Sequence, residues 1–143
     1  MRLCAILLAL AAILSAQTPA DSGYEVITVR HILIRVKGAQ FPVAPGKPEL
    51  SEDEARAKAE SIRVRILAGE DFAAIARQES DDPGTRNNGG DLGEIRRGIT
   101  VPAFEQAAFA LKAGDISEPV RTIFGYHIIQ VRARSVVHQG TLK

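Results

Sequence analysis

Ser80-Asp81-Asp82, Gly89-Gly90-Asp91-Leu92-Gly93 and Phe124-Gly125-Tyr126-His127-Ile128-Ile129 follow one another in the second half of the chain, and they gain meaning beside an earlier apolar run, Val29-Arg30-His31-Ile32-Leu33. Each apolar run carries a single histidine among aliphatic neighbours. In a strand, successive side chains point to opposite faces. His31 therefore shares a side with Ile27, Val29 and Leu33, and His127 with Ile129 and Val131. A lone histidine on an apolar face is most often a hydrogen-bonded core residue. Two of them, on the core faces of separate strands, each need a buried partner. The simplest arrangement lets them bond one another or share a hydroxyl, and Thr122 on the neighbouring strand is the candidate.

Outward from these runs, the first strand is predicted over Tyr24 to Val36, where β-branched residues alternate. Lys37 to Leu50 holds Pro42, Pro45, Pro48, Gly38 and Gly46, and reads as a loop. Ser51 followed by Glu54 has the spacing of a capping box, and Leu50 can staple onto Ala55. Ala55, Ala59, Ile62 and Ile66 then recur at helical spacing up to Gly69. Asp71 can cap a shorter helix with Phe72, Ile75 and Ala76 on one side, and Ser80 to Gly90 reads as a polar loop or short helical turn. Asp91 to Arg97 suits a short strand. Pro102 suits the first turn of a helix with Phe104, Ala107, Ala108 and Leu111 in its stripe. Ser117 to Ile123 and Gly125 to Arg134 complete the pattern as two strands joined around Phe124-Gly125. The order is that of an α+β layer with a small antiparallel sheet.

A chain of 143 residues accommodates one core, and a composition of 45% hydrophobic and 24% charged residues argues against bulk disorder and polytopic membrane proteins. The first twenty residues stand apart: Arg2, an apolar run from Leu3 to Leu14, then Ser15-Ala16-Gln17-Thr18-Pro19-Ala20. That is the layout of a secretory signal peptide, with an apolar run short for a membrane span. The expected organisation is a signal peptide over 1–20, a domain over 21–134 and a flexible tail over 135–143, in an extracytoplasmic protein that meets a membrane only if the first segment stays uncleaved. Cys4 is the sole cysteine, so removal of that segment leaves neither disulfide nor thiol nucleophile. Net charge is +1, and Arg2 is the only charge before Asp21, so the remainder sums to zero. A neutral domain gives no electrostatic case for nucleic acid as a partner.

Two local features have bland alternatives. Gly89-Gly90 permits positive φ and a close backbone approach, and alone is a tight turn. Asp82, followed by Pro83-Gly84, can be a turn cap.

Taken together and in order, the V-R-H-I-L strand, S-D, G-G-D-L-G, V-P-A-F-E-Q-A-A-F-A-L and F-G-Y-H-I-I resemble the parvulin family of peptidyl-prolyl cis/trans isomerases, over roughly Glu25 to Arg134. The resemblance is strongest to bacterial extracytoplasmic members that act on exported proteins. It implies a four-stranded antiparallel sheet surrounded by about four helices. By position it makes His31 and His127 the paired histidines, Thr122 the hydroxyl of their network, and Asp82 the residue found as cysteine or aspartate. Leu92 and Phe104 match walls of the proline pocket, and Thr100 falls where a third wall residue is usually methionine. The implied partners are proline-containing unfolded or partly folded polypeptides, with no cofactor and no metal.

The resemblance also implies a reaction without covalent chemistry, in which an X–Pro amide rotates past a barrier of roughly 18–20 kcal/mol. Lys37 and Lys47 are the only bases in the loop that phosphate-selective parvulins fill with them, so selectivity for phosphorylated substrates is not expected. A rival reading is a weakly or non-catalytic chaperone that binds unfolded exported chains. A metal hydrolase using His31, His127 and Asp82 lacks any local ligand pair such as His-x-x-x-His.

Overall fold

The computed structural model describes residues 23–40 and 44–138. The segment read as a signal peptide lies outside them, as do the last five residues of the expected tail. The elements run β1 (Tyr24–Arg35), α1 (Glu52–Leu67), α2 (Phe72–Glu79), a short 3-10 turn (Arg86–Asn88), β2 (Asp91–Arg96), α3 (Pro102–Ala110), β3 (Val120–Thr122) and β4 (Gly125–Val137). Among the described residues there are thus three α-helices rather than about four, since Ser80 to Gly90 forms only the 3-10 turn. No helix among them is long and apolar enough to cross a membrane.

The sheet is antiparallel throughout, in the order β2-β1-β4-β3. Its two long strands, the first and last in the chain, therefore lie side by side at its centre. Alternation then feeds two cores. Ile32, Ile34, Tyr126 and Ile128 pack against Ala55, Ala59 and Ile62 of α1 and Phe72 and Ile75 of α2. Ile27, Val29, Ile129 and Val131 pack against Phe104, Ala108 and Phe109 of α3. Each large aliphatic chain so buried contributes roughly 1.5–3 kcal/mol.

The helix starts follow their sequence signals. Ser51 Oγ accepts from the Glu54 N–H at 3.3 Å while the Ser51 N–H donates to Glu54 Oε2 at 2.8 Å, closing the capping box. Asp71 Oδ2 accepts from the Ala74 N–H at 2.9 Å, and Pro102 opens α3. The start of α1 is also tied to the β3–β4 hairpin. Arg121 holds both oxygens of Glu52, at 2.6 and 2.8 Å, and the Tyr126 hydroxyl donates to Glu52 at 2.7 Å.

The strand ends differ from the sequence reading for local reasons. β3 begins at Val120 rather than Ser117, because Pro119 has no N–H for a ladder. β4 continues past Arg134 to Val137, into the segment read as tail, since Tyr24 and Glu25 supply partners for Val137 and Val136. Two bulges interrupt the pairing of β1: Arg132 is the extra residue on β4 and Leu92 the extra residue on β2.

Candidate active site

In the β1–β4 ladder Leu33 stands opposite His127, and His31 opposite Ile129. Residues directly opposite share a face, so the two histidines are diagonal neighbours on the α3 side. Their Nδ1 atoms lie 3.0 Å apart. Thr122 sits on β3, whose Val120 pairs with His127, and its Oγ1 lies 2.7 Å from His127 Nε2. Both imidazoles are buried, and the ring of Phe104 meets each of them edge-on.

Asp82 reaches the pair because of what happens at the edge of β1. β2 pairs with β1 only as far as Arg30. Beyond that point loops take over the exposed ladder. The His31 N–H donates to Gly90 O at 2.8 Å, Leu33 N–H to Ser80 Oγ at 3.2 Å, and Arg35 N–H to Asp81 Oδ2 at 2.8 Å. The Asp81 N–H returns a bond to Leu33 O at 2.7 Å. Ser80-Asp81 thus acts as a substitute strand, and the next residue, Asp82, lies against His31. Gly90 is required at this seam: its φ is +85° and a Cβ there would sit 2.2 Å from His31 O.

Asp82 Oδ2 lies 2.7 Å from His31 Nε2 and accepts from the Thr85 hydroxyl at 2.6 Å, while Oδ1 accepts from the Gly84 N–H at 2.9 Å. The bond from His31, with help from Thr85 and Gly84, holds the Asp82 carboxyl far below the ordinary carboxylate range, against the opposing effect of burial. Burial, and then the neighbouring His31, push His127 down to about 3.

These facts orient the protons. An ionised Asp82 only accepts, so His31 Nε2 carries a hydrogen and donates. If His31 is neutral its Nδ1 is bare, and His127 Nδ1 donates to it. His127 Nε2 is then bare and accepts from the Thr122 hydroxyl, which in turn accepts from the Phe124 N–H at 3.2 Å. Every member is satisfied by one polarity, Phe124 to Thr122 to His127 to His31 to Asp82.

Above the relay opens a cavity of about 320 Å³. Leu33, Leu92, Ile99, Val101, Phe104 and Phe124 line it, together with Thr100, His31, Asp82 and His127. Leu92 is the bulged residue of β2, a position at which a strand can redirect a side chain. The structure therefore gathers six of the seven residues named from sequence around one cavity. Thr122 stands behind His127 rather than in the wall. Sequence reasoning missed Thr85, Leu33, Ile99, Val101 and Phe124. Thr85 could have been found from Asp82-Pro83-Gly84-Thr85, where an Asp caps a tight turn and a hydroxyl three residues on faces back to it.

Lys47 donates to Glu79 O, Ser80 O and Asp81 Oδ1 at 2.8 to 3.2 Å, so it secures the loop that carries Asp82. No group of three or more potential metal ligands occurs among the described residues.

Residues 31–133 match the rotamase family, described as the PPIC-type PPIase domain. The chain belongs to that family. It is 47% identical over 108 residues to the foldase protein PrsA of Caldanaerobacter subterraneus subsp. tengcongensis, covering 76% of this chain and 29% of that protein. It is 51% identical over 106 residues to the chaperone SurA of Methylobacillus flagellatus, covering 74% of this chain and 22% of that one. The crystal structure of PrsA from Bacillus anthracis superimposes with a TM-score of 0.65 at 31% identity, over 82% of this chain and 45% of that one. The chain thus spans less than a third of the length of the foldase and the chaperone. What it shares with them is the rotamase domain, in the parvulin fold.

Proposed function

We propose that the protein is a peptidyl-prolyl cis/trans isomerase assisting the folding of exported polypeptides, and that it works by non-covalent stabilisation of the twisted amide. The observation that carries this reading is a mostly apolar cavity, large enough for a prolyl ring, with one ionised carboxylate in its lining held by a hydrogen-bonded relay.

The planar X–Pro amide is polarised by resonance, with excess negative charge on its oxygen. Twisting removes that resonance, so the oxygen becomes less negative and the nitrogen more basic. Leu92, Phe104 and Thr100 hold the prolyl ring, which puts the amide in a site poor in water. Asp82 sits beside the turning carbonyl. There its negative charge disfavours the resonance-polarised planar form more than the twisted one, which is a differential effect on the barrier. Each 1.4 kcal/mol so gained speeds rotation about tenfold. His31, His127 and Thr122 keep the carboxylate ionised and aimed. With no thiol among the described residues and a carboxylate facing an unactivated amide, covalent attack has no agent.

The substrates are proline-containing unfolded or partly folded polypeptides outside the cytoplasm. The likeness to a foldase and a chaperone supports this, together with the leader-like Leu3 to Leu14 run. A carboxylate in the lining, with Lys47 already engaged, disfavours phosphorylated residues before proline. A proline-limited refolding assay, run beside an aggregation assay, tests the reading. Faster cis/trans exchange that is lost in Asp82→Ala supports it. Protection from aggregation without faster exchange replaces it by the chaperone reading.

A further inference from the structure

Among the described residues one buried side-chain oxygen or nitrogen has no hydrogen-bond partner: Oγ1 of Thr100. Thr100 lies in the turn between β2 and α3 and forms part of the wall of the cavity. The other polar groups there, His31, His127 and Asp82, are engaged with one another or with Thr85 and Thr122. A hydroxyl shut away from water and left unpaired is destabilising, and an isosteric valine would avoid the penalty. A partner that arrives with the ligand gives the hydroxyl a use.

We infer that Thr100 is a substrate-anchoring residue whose hydroxyl donates to the carbonyl oxygen of the prolyl residue itself when an X–Pro segment fills the cavity. This deepens the isomerase reading above and rests on it for the identity of the ligand. The prolyl nitrogen has no hydrogen, so the X–Pro unit offers only its two carbonyls beside the ring, and Thr100 must be the donor. The carbonyl of the residue before proline is the one that turns, next to Asp82. The prolyl carbonyl is attached to the ring and keeps its place while the amide rotates. A turn about χ1 exchanges Oγ1 with Cγ2 and presents the hydroxyl to the cavity, an exchange open to threonine because its rotamers are nearly matched in shape. Thr100 thereby anchors the half of the substrate that must stay still. Since that bond is made equally in the planar and twisted states, it acts on KM and not on kcat.

The test uses the full chain with Thr100→Val and Thr100→Ser, a proline tetrapeptide, and the same peptide with sulfur, a poorer acceptor, in place of the prolyl carbonyl oxygen. Affinity is read by chemical-shift titration and turnover by exchange kinetics. Thr100→Val is expected to weaken binding and raise KM about threefold to tenfold, with kcat within about twofold and a melting temperature no lower than wild type. Thr100→Ser restores affinity. Sulfur costs the wild type the same factor and costs Thr100→Val nothing further. Wild-type affinity in Thr100→Val, or an equal sulfur penalty in both proteins, overturns the inference. Absence of turnover in the wild type with this affinity pattern intact would remove the isomerase reading and leave the Thr100 assignment standing.

Discussion

On one side of the β1–β4 ladder, Ile32, Ile34, Tyr126 and Ile128 meet α1 and α2 in a filled core. On the other, their alternate neighbours His31, Leu33, His127 and Ile129 face α3, and part of that side is left open as a cavity. The same two strands thus supply both faces, residue by residue. The α1–α2 side buries aliphatic chains with little polar content. The α3 side buries two imidazoles whose hydrogen-bonding needs are met within one relay running from Thr122 to Asp82. A large core on one side lets the other hold a polar chain and an empty cup.

The division predicts separable defects. The largest effect on stability belongs to the filled side: Ile128→Ala is expected to cost about 2–5 kcal/mol in urea unfolding, while turnover per folded molecule stays near wild type. A comparable loss of turnover in the folded fraction would erase the distinction between the faces. At the seam, Gly90→Ala forces a Cβ against His31 O in a left-handed backbone conformation. It should lower stability by about 1–3 kcal/mol and also reduce activity, since His31 must move.

How much of this division is legible in the sequence can be judged from particular residues. The alternation of Ile27, Val29, His31 and Leu33 against Ile32 and Ile34 gives both faces, and Ser51, Asp71 and Pro102 mark the helix starts. Those signals are local, and local patterns survive folding. The union of His31, His127 and Asp82 was legible only because buried imidazoles need partners and because linked motifs resemble a family. The bulge at Leu92 was not legible, because it depends on where β2 lets go of β1. That is a property of register and not of composition. The extra length of β4 was hidden in the same way, as Ser135 to Val137 look like tail until Tyr24 to Val26 are set beside them.

Acid should act mainly through the α3 side. His127 is depressed from 6.5 to about 3 in the folded chain, so between those values the unfolded chain takes up a proton that the folded chain refuses. Its contribution is complete above about 6.5 and falls as the pH drops, by up to about 1.4 kcal/mol per pH unit. Asp82 adds to the loss only below the ordinary carboxylate range near 3.8, since its folded value is depressed as well. His127→Phe should flatten the upper part of the slope, in melting temperature against pH. An unchanged slope would remove His127 from the account.

The smallest effect is expected at Thr85, one of the residues that sequence reading missed. Thr85→Val deletes one donor to Asp82 and leaves His31 and Gly84 in place. It should reduce kcat about threefold to tenfold, the worth of one such bond, without lowering KM. Full activity would mean that Thr85 only closes the turn.

The central claim is that an ionised Asp82, locked by the two histidines beside an apolar cup, is what speeds rotation of the prolyl bond. Exchange spectroscopy on an X–Pro peptide tests it most directly, with Asp82→Asn compared to wild type at equal folded fraction. Asparagine keeps the size and removes the charge. Faster cis/trans exchange in the wild type, reduced at least about tenfold in Asp82→Asn, is the predicted result. Equal exchange in the two proteins would contradict the account.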